Sequence, residues 1–348
     1  MPRTTIIDVA RQAGVSIATV SRVLNGTAPV DAATAERVRL TVAELSYIPH
    51  AAARTLASRR TNTIGLVLPQ IQGAFFQPLV RGVEEGAREN GFNLLIHTTR
   101  NPNLEHLPSQ RLAEHNTDGL LAFTNSLDDD ELARLEAASF PLVLLYQTPP
   151  AGLKIPYVTI ENQAGARDLV DHLIRVHGRR RIVYLKGPAE HEDSEWREKG
   201  YREALKTHGI PFDPRRVRTG GFYREDVVRV LQEIHSQGLD FDAVFAGDDD
   251  AAIGAYQFLR QSGVRIPQDV SVVGFDDQFF ASTLIPPLTT VRAPTEQVGR
   301  EAACMLVALL QGQPVDNQRV LPVEVILRES CGCPAIHNPT RSTNEECP

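Results

Sequence analysis

Residues 4–26 read TTIIDVARQAGVSIATVSRVLNG, and their spacing predicts two short helices joined by a tight turn. Thr5 is placed to cap a first helix whose Ile6, Val9, Ala10 and Ala13 share one face, and Gly14 supplies a left-handed stop. Ser16 caps a second helix with Val20, Val23 and Leu24 turned inward and Gly26 at its end. A third pattern runs from an Asp31 cap through Val38, Val42 and Leu45 to Pro49, which restricts the residue before it and stops the helix. Two helices joined at such a turn form a helix-turn-helix, which leaves the second helix free to lie in a groove of DNA.

Charge is distributed unevenly around this module. Residues 1–60 hold 8 of the 36 Lys and Arg but only 4 of the 43 acids, so a basic start sits on a chain whose net charge is -7. Phosphate attracts such a module while the acidic remainder is repelled. An Arg-rich solvated surface would give the same charges, so the motifs must decide. A chain of 348 residues with 42% hydrophobic and 23% charged residues is long and apolar enough for several folded units, which excludes a disordered chain or a disulfide-stapled miniprotein. Apolar runs such as TIGLVLPQI and FPLVLLY fall far short of the roughly 20 residues that span a bilayer, so no membrane partner is expected. Asp8 and Arg11 interrupt the N-terminal apolar residues, which argues against a secretory signal and for the cytoplasm.

From residue 62 the period changes. TIGLVLP, FNLLIHT, DGLLAFT, PLVLLY, RIVYLKG, AVFAGD and SVVGFDD read as strands, alternating with helix patterns at 76–90, 163–177, 194–208, 224–237 and 249–262. This is a parallel α/β architecture long enough for two lobes. Residues 50–61, HAAARTLASRRT, form a basic, Ala-rich linker that can become helical on contact, and 331–348 is expected to be an irregular tail.

With TTIIDVARQAGVSIATVSRVLNG, ELSYIPHAAARTLA and IPQDVSVVGFDD in this order and spacing, the chain resembles the lactose-repressor/galactose-repressor family of bacterial transcription regulators over residues 4–330. The resemblance implies a DNA-binding head at 1–49, a hinge helix at 50–61, and a body at 62–330 similar to periplasmic sugar-binding proteins. Three crossings between lobes are implied, with an N-lobe of about 62–160 and 292–322 and a C-lobe of about 161–291 and 323–330. It further implies a homodimer that binds pseudo-palindromic double-stranded operator DNA and is controlled by a small-molecule effector, a sugar in the first instance, held in the interlobe cleft.

Site residues follow from the same resemblance. Ile17, Ala18 and Arg22 match the base-reading positions; Arg22 can donate two parallel hydrogen bonds to guanine, and the other two offer apolar contact to a thymine methyl. Arg22 as a phosphate contact or a solvated side chain is the alternative. Thr5, Ser16, Thr19, Ser21 and Asn25 suit phosphate anchoring or plain helix capping. Leu56 matches a leucine that wedges between base pairs in the minor groove, with Ala53 beside it. In the body, Arg197, Asp248 and Asp276 are the candidate polar ligands, Phe222 the ring that stacks on a sugar, and Phe75 and Phe76 the N-lobe cover or else core residues. Tyr146 stands where relatives often carry a cleft-facing Asp. The acidic loop PAEHEDSEW also shifts the expected hydrogen-bond pattern, so a cationic or amino-bearing effector would suit the site as well.

An enzyme finds no support: no G-x-G-x-x-G opens a helix, and neither a phosphate-binding G-x-x-x-x-G-K-[ST] loop nor a G-x-S-x-G elbow is present. A free-standing periplasmic binder would have no use for residues 1–60. Cys331, Cys333 and His337 offer three ligands without a fourth, so neither a metal nor a cofactor is expected. No leucine heptad follows residue 330 to support a tail-mediated tetramer.

Overall fold

A computed structural model describes residues 4–26, 28–47, 60–99, 116–188 and 191–334. These fall into two compact units that divide between Thr61 and Asn62. The first holds α1 (Ile6–Ala13), α2 (Ile17–Asn25) and α3 (Ala32–Glu44). Thr5 and Asp8 form a capping box at α1: the Asp8 amide donates to the Thr5 hydroxyl, and the Thr5 amide donates back to the Asp8 carboxylate at 3.0 Å. Gly14 ends α1 at φ +65°, a conformation that L side chains rarely adopt, and so lets the chain reverse into α2. Val9, Ala10, Ala13, Val20 and Val38 make the small core between the three helices, the same positions that the apolar pattern places inward.

The second unit contains two six-stranded sheets. One is ordered β11–β5–β4–β3–β1–β2, from β1 (Thr63–Leu68), β2 (Asn93–Thr98), β3 (Gly119–Phe123), β4 (Leu142–Leu145), β5 (Tyr157–Ile160) and β11 (Gln318–Leu321), all parallel. The other is ordered β12–β10–β9–β8–β6–β7, from β6 (Ile182–Lys186), β7 (Val217–Thr219), β8 (Ala243–Ala246), β9 (Ser271–Asp276), β10 (Thr289–Arg292) and β12 (Glu324–Ile326). Only β12 runs antiparallel to its neighbour in that sheet. The chain therefore passes between sheets after β5, after β10 and after β11. Helices α4 (Phe76–Glu89), α5 (Asp129–Ala137) and α10 (Thr295–Leu310) belong to the first lobe. Helices α6 (Asn162–His177), α7 (Glu192–Thr207), α8 (Arg224–Ser236) and α9 (Asp249–Gln261) belong to the second. Fully buried runs such as LVLL in β4 and AVFA in β8 are what a parallel sheet covered on both faces requires.

Two sequence expectations change. Helices α5 and α10 and strands β5, β7, β10, β11 and β12 were absent from the periodic reading, because the strands are three or four residues long and sit at sheet edges or at the crossings between lobes. The packed body also continues past Ser330: Cys331 is fully buried, and its carbonyl accepts a hydrogen bond from Ser271 Oγ at 2.8 Å, while the rest of the expected tail from residue 335 lies outside the described residues. The linker expectation for 50–61 falls almost entirely outside the described residues.

Candidate functional site

Ligands of open parallel sheets gather beyond the carboxyl ends of the strands. In the second lobe, β8 runs through Gly247 into Asp248, which caps α9 by accepting from the Ala251 amide at 2.7 Å; β9 ends at Asp276; and the first turns of α7 carry Asp193 and Arg197. Facing them from the first lobe are Phe75 and Phe76 at the start of α4 and Phe123 at the end of β3. Together these side chains line an interlobe cavity of about 390 Å³, within the range of small-molecule sites.

Arg197 is the hub and is only 3% exposed. Its Nε donates to Asn162 Oδ1 at 2.8 Å, its Nη1 donates to the Gly247 carbonyl at 2.5 Å, and its guanidinium lies 3.7 Å from the centre of the Phe275 ring. Its Nη2 stands 3.6 Å from Asp276 and 3.9 Å from Asp193, while Asn162 Nδ2 donates to Asp193 at 2.7 Å. One guanidinium thus faces Asp193, Asp248 and Asp276, with Asp249 behind them held by the Thr290 hydroxyl and the Gln278 amide. Burial dominates these acids: it pushes Asp193 up to about 7 and Asp276 up to about 6 against the pull of Arg197, and raises Asp248 and Asp249 well above the ordinary carboxylate range. Burial also lowers His191 to about 4, so its imidazole is neutral at pH 7.

Among the described residues, His191 Nδ1 and both amide heteroatoms of Gln278 are buried without a hydrogen-bond partner, Asp276 Oδ1 likewise accepts no hydrogen bond although it faces the Arg197 guanidinium at 3.6 Å, and all three residues line the cavity. Orphaned buried polar atoms are rare in folded proteins, and four of them around one cavity mark where a polar ligand completes the set. Asp276 also has φ +106°, a strained backbone that aims its carboxylate into the cleft. The apolar wall comes from Phe222, whose ring lies against Gly187 and Gly247 and meets His191 edge-on at 5.1 Å, and from the Phe75, Phe76 and Phe123 cluster with ring centres 5.4–5.9 Å apart. A wider hollow on the outer side of Asp276 is rimmed by Arg81, Glu85, Glu296 and Arg300, whose charges already pair with one another.

Of the sequence candidates, Phe75, Phe76, Arg197, Phe222, Asp248 and Asp276 come together around this cavity. Tyr146 does not line it: the side chain is 1% exposed and packs into the aromatic cluster, 5.4 Å from Phe75 and 5.6 Å from Phe123. The residues sequence reasoning missed are Phe123, Asn162, His191, Asp193 and Gln278. The acidic loop before Trp196 was the one available signal, since Asp193 lies one helical turn before Arg197.

In the head, Ile17 and Ala18 open α2 and are exposed, Ile17 at 46%, and Arg22 is exposed one turn later. An apolar side chain with nothing to cover it at the start of the second helix fits a groove-reading surface. Ser16 caps α2 by accepting from the Thr19 amide at 3.1 Å, its hydroxyl lies 2.9 Å from that of Thr19, and Asn25 donates to Ser21 at 3.1 Å. Thr5, Ser16, Thr19, Ser21 and Asn25 therefore all serve local structure in this state. Ala53 and Leu56 lie outside the described residues.

A helix-turn-helix head joined to a two-lobed body with a polar, aromatic-walled cleft defines a ligand-responsive DNA-binding regulator. Residues 5–50 match the model for bacterial regulatory proteins of the lacI family, and residues 170–331 match that for a periplasmic binding protein-like domain. The chain is 38% identical to the HTH-type transcriptional regulator CelR of Thermobifida fusca over 94% of this chain and 98% of that protein, and 31% identical to catabolite control protein A of Priestia megaterium over 94% and 98%. Among solved structures, the lac repressor dimer bound to operator and an anti-inducer superposes with a TM-score of 0.83 at 29% identity, covering 95% of this chain and 99% of that one. A CelR–cellobiose complex superposes with a TM-score of 0.71 at 36% identity over 94% and 100%. The chain belongs to the lacI family of bacterial transcriptional regulators, DNA-binding proteins rather than enzymes. Among the described residues, no helix is long and apolar enough to cross a membrane.

Proposed function

We propose that this regulator is a cytoplasmic repressor of carbohydrate-metabolism genes, a homodimer that binds a pseudo-palindromic operator and responds to a saccharide in the interlobe cleft. The carrying observation is the set of orphaned polar atoms on Asp276, His191 and Gln278 beside Arg197 and between aromatic walls. Vicinal hydroxyls can donate to carboxylates and accept from an amide or guanidinium, while the sugar ring lies on an aromatic face, here Phe222. The similar CelR has been solved with cellobiose, so a disaccharide is the first compound to test. On the DNA side, Ile17, Ala18 and Arg22 read base edges, Thr5, Ser16, Thr19, Ser21 and Asn25 contact phosphates, and Ala53 and Leu56 enter the minor groove.

The surplus of buried carboxylates around one guanidinium supports a second reading, an amino-bearing effector whose cation offsets them. A thermal-shift panel of mono- and disaccharides, amino sugars and nucleosides decides between the two, because a true ligand raises Tm with concentration. Stabilisation by neutral sugars supports the saccharide; stabilisation confined to cationic compounds replaces it with the second reading.

A further inference from the structure

Away from the cleft, the C-terminal end of α6 faces the segment that follows β12. His172 and His177 lie on α6, Cys331 ends a short 3-10 turn (Glu329–Cys331) and Cys333 stands two residues on; Cys331 is fully buried and the other three are partly buried. Their ligand atoms all lie within 4.8 Å of one another. The two imidazole Nε2 atoms are 3.2 Å apart, His172 Nε2 is 3.7 Å from Cys331 Sγ and 3.4 Å from Cys333 Sγ, and His177 Nε2 is 3.5 Å from Cys333 Sγ. A tetrahedral zinc centre, with bonds of about 2.3 Å to sulfur and about 2.0–2.1 Å to nitrogen, holds its ligand atoms about 3.3–3.8 Å apart. These four of the six distances lie in or close to that range and the other two are no longer than 4.8 Å, so a shift of about 1 Å or less completes the tetrahedron, although 153 residues of chain lie between His177 and Cys331.

We infer that His172, His177, Cys331 and Cys333 form a tetrahedral site for a structural zinc ion. Two thiolates and two neutral imidazoles make a soft nitrogen–sulfur set that selects zinc over magnesium or calcium, and four protein ligands leave no open position for catalysis. Binding exchanges the two thiol protons for the metal and releases them to solvent, so the Zn²⁺ and two thiolates form a neutral unit that tolerates burial. Thr289 Oγ1 lies 2.8 Å from the Arg328 carbonyl, to which it donates, and 3.1 Å from Cys331 Sγ, so turning its single proton to the sulfur would orient the thiolate.

The backbone is built to present both sulfurs on one side. Gly332, between the cysteines, adopts φ +114°, and a Cβ there would stand 2.9 Å from His177 Nδ1, so the C-G-C turn fits against the imidazole only with glycine. Ser330 Oγ donates to the Val272 carbonyl at 2.6 Å and Ser271 Oγ donates to the Cys331 carbonyl at 2.8 Å, which stitch the turn to β9. Zinc would add the link to α6 and so close the second lobe's far end. The partners of the two cysteines are thus helix residues remote in sequence, in place of His337, which lies outside the described residues.

The full-length reduced chain, purified without chelator, exposed to excess zinc and desalted, should retain about one zinc per chain by elemental analysis. The Cys304→Ser variant should retain the same amount, while His172→Ala/Cys333→Ser should lose most of it and show a body transition several degrees lower. Cobalt(II) in the unaltered protein should give the intense visible bands of a tetrahedral ion and a thiolate charge-transfer band in the near ultraviolet, a readout that does not depend on any variant folding. Retention below about a tenth of an equivalent, a weak octahedral cobalt spectrum, a Cys331–Cys333 disulfide under reducing conditions, or unchanged zinc in the double variant overturns the assignment.

Discussion

Arg22 and Asp193 show how differently two residues of this regulator can be tested. Arg22 is exposed on α2 and forms no ion pair among the described residues, so its substitution leaves the fold alone. Arg22→Ala should weaken binding to the preferred operator by about 1–3 kcal/mol and relax base choice at one position of each half-site. A binding-site selection with both proteins reads this, and a uniform loss on every sequence would make Arg22 a phosphate contact. Asp193 is buried, and its carboxyl is raised to about 7 against an ordinary 3.8. Between about pH 4 and 7 the folded chain therefore keeps a proton that the unfolded chain has lost, and its stability contribution falls as pH rises through that window. An Asn at this position has nothing to ionise. The Tm of Asp193→Asn relative to the unaltered protein should climb from about pH 4 to 8 in effector-free buffer, and a flat difference would show that burial leaves this carboxyl unperturbed.

At the scale of elements, close approach decides more than propensity. Helices α4 and α10 pack so tightly that a Cβ on Gly299 would stand 2.4 Å from the Leu79 carbonyl oxygen and 2.9 Å from the Val83 amide. Gly→Ala within a helix ordinarily stabilises by up to about 1 kcal/mol. Here the sign should reverse, with Gly299→Ala costing about 1–3 kcal/mol as an overpacked contact and lowering the body's Tm, measured by calorimetry. Neither this contact nor α10 itself came from the periodic pattern, and the return of residues 292–322 to the first lobe was expected only from the family resemblance. The head was legible because its signals are local: the Thr5 and Ser16 caps, Gly14 and the inward Val9 and Val20 lie within a turn or two of what they specify. The cavity wall was legible where the family resemblance pointed to a residue, as it did for Arg197, Asp248, Asp276, Phe75, Phe76 and Phe222. Phe123 reads as another buried strand residue and Asn162 as another helix start, and their roles come from which loops the two sheets bring together. Tyr146 shows the converse, since the resemblance put it in the cleft while its ring packs against Phe75 and Phe123 behind the cavity wall.

For the molecule as a whole, the effector can act on DNA binding only through contacts that differ between two states of the body. The residues that would supply such contacts lie on both lobes, with Arg197, Asp248 and Asp276 on one and Phe75, Phe76 and Phe123 on the other, so a bound molecule favours whichever lobe arrangement brings both walls onto it. We propose that this arrangement sets the separation of the two heads in a dimer and thereby their fit to the two half-sites. The coupling should amount to about 1–3 kcal/mol, and it must be reciprocal: the factor by which effector changes operator affinity equals the factor by which operator changes effector affinity. Arg197→Lys, which keeps the charge that the buried acids face but loses the planar fork, and Asp276→Asn should abolish the effector's influence and leave effector-free operator binding near its original level, because neither residue lies in the head. Calorimetric titrations of effector with and without operator, and operator titrations with and without effector, measure both sides of the cycle on one preparation. Unequal factors would mean a third state or linked assembly; an effector that still shifts operator affinity in both variants would place the site somewhere other than this cleft.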